Sequence, residues 1–297
     1  MKYRYLDLRR PRMFSNLDLR HRVLQAVRRH LDDLGFIEVE TPILTKSTPE
    51  GARDFLVPSR LQPGEFYALP QSPQLFKQLL MISGFERYYQ IARAFRDEDL
   101  RADRQPEHTQ IDLEMSFIEE EDILLTVEGM FAHAFKEALE VDLATPFPRI
   151  TYTDAMARYG SDKPDLRFGM EIVDVTDIAS GVDFRVLAEA VRQGGVVRGI
   201  KGDGAAVLSR KDIDDLASEA AAFGAQGVVP VWVDEHGVRS PMQKFLTEDQ
   251  LAALLTGFGA GPGDLLLLVA GSRPVVEASL GALRLALASR LGMPKEG

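Results

Sequence analysis

The first part of the chain combines helical periodicity with a short strand pattern. From Ser15 to Gly35, leucine and valine recur at intervals of three, four or seven residues, which predicts an amphipathic helix capped by Ser15 and ended by Gly35. Residues 36–40 predict a strand that stops at Pro42, because proline cannot donate a ladder hydrogen bond. The stretch 45–65, rich in Thr, Ser, Pro and Gly, predicts a mobile loop.

The next segment predicts a helix, a hairpin and a further helix. Ser72 and Pro73 form an N-cap and first-turn pair for a helix that runs to the next glycine. Two strands near 88–96 and 108–118 follow, joined by a highly charged connection. A helix from about 120 to 139 closes the region.

The predicted hairpin has one polar face. Its second strand alternates strictly, so its polar residues share one side of the sheet. These residues are Gln110, Asp112, Glu114 and Ser116. On the first strand, Gln90, Ala92, Ala94 and Arg96 share a face.

From about residue 165 the composition and the pattern of the sequence change. Glycine becomes frequent, strand patterns are short (228–233 and 265–270), and the helical runs 211–223 and 275–291 are rich in alanine. This change predicts a second α+β domain, so the whole chain is expected to be α+β with two domains.

Composition and charge narrow the classes of function. The chain has 297 residues and no cysteine, which excludes disulfides, thiolate metal sites and cysteine nucleophiles. No run of apolar residues is long enough for a membrane helix, and the charged start is unlike a signal peptide, so a cytoplasmic protein is expected. The net charge is −10, yet residues 1–30 hold nine basic and two acidic side chains, which leaves −17 for the rest. This asymmetry is consistent either with a phosphate-facing patch or with a solvated helix face.

The polar hairpin face is the strongest chemical signal. The first strand ends in Phe-Arg-Asp-Glu at 95–98, so a cation meets the carboxylates of the second strand across one face. Ser72, Gln74 and Lys77 lie near the start of the preceding helix, where amide donors favour an anion. Such a pocket suits an amino acid together with a nucleotide phosphate, although a water-facing strand is the alternative.

These segments resemble a known family. Phe95–Glu98, the charged connection and the strand through Asp112 are similar to motif 2 of the class II aminoacyl-tRNA synthetases, and Gly35–Pro42 is similar to motif 1. Thr45–Phe55, Gln71–Gln78 and Gly160–Asp165 resemble the bacterial aspartyl-tRNA synthetases in particular. The resemblance covers nearly the whole chain. It implies an incomplete class II antiparallel sheet flanked by helices, followed by an α+β insertion domain of the GAD type.

The resemblance implies roles in binding L-aspartate. Lys77 would bind its side-chain carboxylate and Gln74 its α-carboxylate. Three side chains would bind its ammonium group: Ser72, Gln110 and Asp112. Glu50 would lie on a loop that closes over the substrate, and Glu114 would have a supporting or metal-adjacent role.

It also implies roles in binding ATP, which enters as its Mg²⁺ complex. Arg96 would hold the α-phosphate and stabilise the charge that develops on it, while also facing the bound aspartate. Glu98 would accept from the adenine amino group, Gln105 would contact ATP, and His108 would stack on the base. No resident metal site is expected.

Further implied partners are tRNA and a second copy of the chain. Arg101 and Arg104 would reach the acceptor end of tRNA, and the region of Pro42 would form a homodimer contact. No membrane partner is expected.

Domain boundaries follow from the same resemblance. Residues 1–165 would form the first part of the catalytic core, 166–286 the insertion domain, and 287–297 the start of the return to the core. Motif 3 and the N-terminal anticodon-binding barrel of the family are not recognisable, so the chain is expected to be an internal fragment that is inactive alone.

Three interpretations compete. The first is an aspartate–tRNA ligase, and the second is a non-catalytic relative that binds an amino acid or RNA. The third, an ammonia-dependent asparagine synthetase, offers no reason for an insertion domain. The sequence does not decide whether an asparagine tRNA would also be charged, or what the insertion domain does.

Overall fold

A computed structural model describes residues 3–48, 50–99 and 104–293. The chain divides into two compact units, Met1–Pro148 and Arg149–Gly297. Both units combine helices with largely antiparallel sheets, so the predicted α+β class is confirmed. None of the helices in the described ranges has the length and apolar character needed to cross a bilayer.

Unit 1 is built on a long antiparallel hairpin. Its helices are α1 (Arg4–Asp7), α2 (Pro11–Asp33), α3 (Gln74–Ile82) and α4 (Glu120–Leu139). Its strands are β1 (Ile37–Glu38), β2 (Leu56–Pro58), β3 (Phe66–Ala68), β4 (Arg87–Phe95) and β5 (Glu107–Met115). The main sheet has the order β1-β4-β5, in which β1 pairs with β4 in parallel and β4 pairs with β5 antiparallel. β2 and β3 form a separate small hairpin; β2 lies inside the predicted loop 45–65 and β3 follows directly after it.

The core of unit 1 lies on one side of this sheet. Side chains of α2 and α4, including Val27, Leu31 and Met130, pack against Tyr89 and the apolar residues of β5. Burying a side chain of this size contributes roughly 1.5–3 kcal/mol. Because the apolar face of the hairpin is used in this way, its polar face is turned to the other side.

Two predicted helix starts were wrong. α2 begins at Pro11 rather than after Ser15, because Pro11 has the φ angle of a first helical residue and Arg10 is the extended cap. The Ser15 hydroxyl instead donates to the Arg12 carbonyl within the helix. α3 is capped by Pro73, and the Ser72 hydroxyl donates elsewhere.

A histidine pair lies between α2 and α4. The rings of His30 and His133 stack with centroids 5.2 Å apart. Both Nε2 atoms are buried and have no hydrogen-bond partner among the described groups. Burial, reinforced by the neighbouring His133, lowers the pKa of His30.

Unit 2 is organised by a five-stranded antiparallel sheet. Its helices are α5 (Tyr152–Tyr159), α6 (Thr176–Ser180), α7 (Arg185–Arg192), α8 (Arg210–Ala221), α9 (Glu248–Phe258) and α10 (Arg273–Arg290). Its strands are β6 (Val173–Asp174), β7 (Val196–Gly202), β8 (Val229–Asp234), β9 (Gly237–Arg239) and β10 (Leu265–Gly271), in the order β6-β7-β10-β8-β9. Apolar clusters cover both faces of this sheet, so β10 reads as a continuous apolar run instead of an alternating one.

α5 and α10 are tied to the same unit. Gly160, with φ of 68°, lies so close to α10 that a Cβ atom would overlap the Glu277 carbonyl oxygen and would lie 2.8 Å from the amide nitrogen of Gly281. α5 therefore belongs to unit 2, although it precedes the predicted boundary after residue 165. α10 also continues unbroken past residue 287. The assignment of an inserted domain to 166–286 stays a prediction.

A single arginine orders the segment 165–170. The Arg284 side chain is buried, and its Nη2 donates to the carbonyls of Asp165 (2.6 Å), Phe168 (3.0 Å) and Gly169 (2.8 Å). Its guanidinium carbon lies 4.8 Å and 4.5 Å from the ring centroids of Tyr159 and Phe168. A planar cation with several donors suits such a cage of carbonyls between two rings.

Candidate active site

Lys77 meets two carboxylates on the polar face of the hairpin. It projects from α3, and its Nζ lies 3.0 Å from Asp112 Oδ1 and 3.3 Å from Glu114 Oε2. The side chains of Lys77 and Asp112 are only 12% and 5% exposed, whereas that of Glu114 is 31% exposed. Burial lowers the pKa of Lys77, but the two carboxylates outweigh burial and the pKa ends above its ordinary value. Lys77 is thus a protonated, half-enclosed cation at neutral pH.

The hairpin register sets the neighbours of Asp112. Gln90 lies opposite Asp112, Ala92 opposite Gln110, and Ala94 opposite His108. The Nε2 atom of Gln110 donates to Asp112 Oδ2 at 2.6 Å. Alanines are the cross-strand neighbours of Gln110 and His108, so no large side chain lies directly opposite either of these polar groups.

Glu50 lies on the loop that precedes β2 and contacts the start of α3. The Ser72 hydroxyl donates to Glu50 Oε2 at 2.7 Å, and the Thr48 hydroxyl donates to Oε1 at 2.9 Å. The predicted ammonium ligand Ser72 and the predicted loop carboxylate Glu50 are therefore brought together. Gln74 is the first residue of α3, two positions after Ser72.

Gln71 fixes the base of this loop and had no predicted role. Its side chain is buried and forms a two-way pair with the Ala52 backbone, at 3.0 Å to the amide and 2.9 Å to the carbonyl. Its Nε2 also donates to Asp54 Oδ1 at 2.6 Å. Next to this pair, the Asp97 amide donates to the Arg53 carbonyl at 2.9 Å, so the loop is attached to the end of β4 as well.

A cavity of about 300 Å³ lies at the end of the hairpin. Its lining residues are Arg96, Glu98, Asp99, Arg104, Gln105, Pro106 and His108. All the predicted ATP ligands are among them, and Arg104 joins them. The Nε atom of Arg96 is buried with no hydrogen-bond partner among the described groups, so this guanidinium keeps a donor available. Arg101 lies outside the described residues.

A buried hydroxyl–amide chain lies beside Asp112 and was not predicted. Tyr88 is fully buried and donates to Gln90 Oε1 at 2.8 Å, and the Thr41 hydroxyl donates to the same oxygen at 2.9 Å. Burial, followed by the charges of Asp112 and Glu114, raises the pKa of Tyr88. In the sequence, the only signal for these hydrogen bonds was the position of Gln90 on the polar face of the hairpin.

In the described ranges, no group of three or more histidine, aspartate or glutamate side chains is arranged to hold a metal ion.

The chain is similar to a known family and to several known proteins. Residues 1–257 match the model of the family described as tRNA synthetases class II (D, K and N). The chain is 60% identical over 291 residues to the aspartate–tRNA(Asp/Asn) ligase of Moorella thermoacetica, covering 98% of this chain and 48% of that protein. It is 60% identical to the protein of the same name from Symbiobacterium thermophilum, covering 100% and 50%. It is 58% identical to the aspartate–tRNA ligase of Geobacillus kaustophilus, again covering 100% and 50%.

The chain spans about half the length of these relatives. The match to the family model covers most of the chain, and it includes both the Lys77–Asp112 face and the cavity at Arg96. The chain therefore belongs to the D, K and N group of the class II tRNA synthetases.

Proposed function

We propose that the chain is part of an aspartate–tRNA ligase and that unit 1 carries its amino-acid pocket. The observation that carries this proposal is the half-enclosed Lys77 beside Asp112, with Gln110 on the same face. Three relatives with 58–60% identity are named as aspartate–tRNA ligases, two of them for both Asp and Asn tRNAs, which agrees with this chemistry.

L-Aspartate fits the charges of this pocket. Its ammonium group would bind Asp112, supported by Gln110 and Ser72, and its side-chain carboxylate would bind Lys77. Gln74 would donate to the α-carboxylate. Without substrate, Lys77 is paired with Asp112 and Glu114, so binding exchanges internal ion pairs for pairs with the ligand. This exchange favours a ligand that carries both a positive and a negative charge, because neither Lys77 nor Asp112 is then left buried and unpaired.

The cavity at the hairpin end would hold ATP, delivered as its Mg²⁺ complex. Arg96 would bind the α-phosphate, Glu98 the adenine amino group, and His108 would stack on the base, with Gln105 nearby. An oxygen of the aspartate α-carboxylate would attack the α-phosphorus, pyrophosphate would leave, and aspartyl-adenylate would form. The free Arg96 donor suits the charge that develops on the phosphate, and removing one such donor typically costs about 10²–10³ in rate.

The acyl group would then pass to a ribose hydroxyl at the tRNA terminus, with release of AMP. Arg104 and Arg101 would position the acceptor end through phosphate contacts. The Pro42 region would contact a second copy of the chain, the protein would work in the cytoplasm, and residues 166–286 would form the insertion domain.

The test separates binding from catalysis. A stable aspartyl-adenylate analogue and L-aspartate are titrated calorimetrically into this chain, with L-asparagine and L-glutamate as matched ligands. Preferential binding of L-aspartate and the analogue is expected. Absence of any aspartate binding by the folded chain would overturn the proposed pocket.

Catalysis is tested by aspartate-dependent exchange of pyrophosphate into ATP. The assay uses this chain and the same chain extended to the full length of its relatives. Exchange in either form supports the ligase. Aspartate binding without exchange in both forms would favour the alternative, a non-catalytic module that binds an amino acid.

A further inference from the structure

Gln90 occupies a position that the proposed pocket does not use directly. It lies in β4, opposite Asp112 in β5, and its side chain is almost fully buried. Directly opposite residues on one face of an antiparallel pair have Cβ atoms only about 4.5–5.5 Å apart. A long amide side chain at this position can therefore reach the carboxylate.

Two hydroxyl groups hold the carbonyl end of this amide. Tyr88 and Thr41 both donate to Oε1, at 2.8 Å and 2.9 Å. A carbonyl oxygen has two lone pairs, so these donors fill its acceptor capacity. The Nε2 end, which carries two donor hydrogens, is directed away from them. Thr41 lies in the segment after β1, 49 positions from Gln90, so this anchor is a long-range contact.

Asp112 has limited capacity for further donors. One of its oxygens accepts from Gln110 and the other lies beside Lys77. The substrate ammonium group must use the lone pairs that are left. The Gln90 amide, if released from its anchors, would be a competing donor on the same sheet face.

We infer that Thr41 and Tyr88 hold the Gln90 amide off Asp112, which makes Thr41 a positioning residue of the proposed aspartate pocket. The inference rests on the proposed function, because it assigns Asp112 to the substrate ammonium group. Among the described residues, the hydrogen bond of the Thr41 side chain is to Gln90 and not to a predicted ligand residue, so its effect on the pocket passes through Gln90.

The test is a double-mutant cycle with aspartate affinity as its readout, measured calorimetrically on the full chain. Thr41→Val is expected to weaken aspartate binding about tenfold, equivalent to 1.4 kcal/mol. Gln90→Met removes a donor that is already held off Asp112 in the wild type, so aspartate affinity is expected to stay within threefold of the wild-type value. The double variant Thr41→Val/Gln90→Met should match Gln90→Met alone.

Two control variants distinguish the positioning role of Thr41 from a general effect of the substitution on folding. Thr41→Ser retains the hydroxyl and should restore affinity to the wild-type value. Thr126→Val removes a hydroxyl that bonds only within or beside α4, and it should leave affinity unchanged. The affinity for an ATP analogue should be the same in every variant.

Several outcomes would overturn the inference. Additive effects of Thr41→Val and Gln90→Met, or a larger loss in Gln90→Met than in Thr41→Val, would mean that Gln90 acts on the substrate directly. Unchanged affinity in Thr41→Val would remove the positioning role while leaving the proposed function in place. Failure of the proposed function is seen separately, as wild-type chain that binds no aspartate.

Discussion

Replacing Lys77 with methionine isolates the charge at the centre of the proposed pocket. Methionine keeps an unbranched apolar stem of similar length, so the packing of α3 on the hairpin is largely retained. What changes is the balance of charge, because Asp112 and Glu114 are left without the cation that lies 3.0 Å and 3.3 Å from them.

The cost to stability can be worked from burial. Breaking a buried ion pair by removing one partner costs about 3–5 kcal/mol. Asp112 keeps its hydrogen bond from Gln110, and the partly exposed Glu114 can turn to solvent. The lower end, about 3 kcal/mol, is therefore expected for the free energy of unfolding. The contribution of Lys77 is fully present below its ordinary pKa of 10.5 and is lost only as pH rises through the raised folded value, so neutral assays measure all of it.

The cost to affinity should be larger than tenfold. The side-chain carboxylate of aspartate would lose a charge-assisted hydrogen bond, worth roughly 1.5–3 kcal/mol, and would face two carboxylates instead. We expect aspartate affinity to fall about 10²-fold, equivalent to about 2.7 kcal/mol. The assays are urea unfolding and calorimetric titration with L-aspartate.

Lys136→Met is the matched control. Lys136 pairs with Asp142 at 2.7 Å, but both side chains are more than half exposed, at 54% and 78%. Its loss is expected to cost about 0–1 kcal/mol and no affinity. The double variant Lys77→Met/Asp112→Asn should regain part of the stability but none of the affinity. If Lys77→Met behaved like Lys136→Met in both assays, the reasoning from burial would be refuted.

Three further changes probe the fold by urea unfolding. His30→Phe keeps the ring stack on His133 and removes a group whose pKa is lowered on folding, so the loss of stability expected in the wild type as pH falls below about 6.5 should shrink. The sign follows because a lowered folded pKa leaves stability present above the ordinary value of 6.5 and lost as pH falls. Arg284→Lys removes the planar fork from its carbonyl cage and should cost about 3 kcal/mol. Gly160→Ala forces a Cβ onto the Glu277 carbonyl at a positive φ and should also cost about 3 kcal/mol.

Each of these three has a contradicting result. An unchanged pH slope in His30→Phe would mean that His30 does not gain a proton more readily on unfolding. Arg290→Lys is the control for Arg284→Lys, because the Arg290 side chain is 25% exposed. If both variants lost the same free energy of unfolding, the carbonyl cage around Arg284 would not contribute specifically to stability. Wild-type stability in Gly160→Ala would show that α5 and α10 can separate without cost.

The parts of the fold that were predictable from sequence share a regular period. The bounds 120–139 of α4 agree with the prediction, and the β4–β5 hairpin differs from its prediction by a few residues, because alternation and helical spacing persist over many positions. The polar face through Asp112 was predictable for the same reason. Lys77 was expected near Asp112 on two grounds: its helix directly precedes the polar hairpin, and both segments resemble the same family.

The parts that were not predictable depend on single long-range partners. Gln71 pairs with the backbone of Ala52, and Gln90 accepts from Thr41, yet neither glutamine differs in pattern from a surface residue. Periodicity reports the face on which a residue lies, but not which group will reach it from a distant segment. Ser15 failed as a cap because Pro11 offered a better helix start four positions earlier.

The order of strands in unit 2 has a consequence for its synthesis. β7 and β8 do not pair with each other; each pairs with β10, which is the last of the five strands in the chain. Residues 265–271 must therefore leave the ribosome before the centre of the sheet can form. Until then, the edges of β7 and β8 that pair with β10 in the folded protein are unpaired. Edges of this kind are aggregation-prone, so this unit is expected to depend on chaperones, or on rapid translation of residues 235–271, more than its stability would suggest.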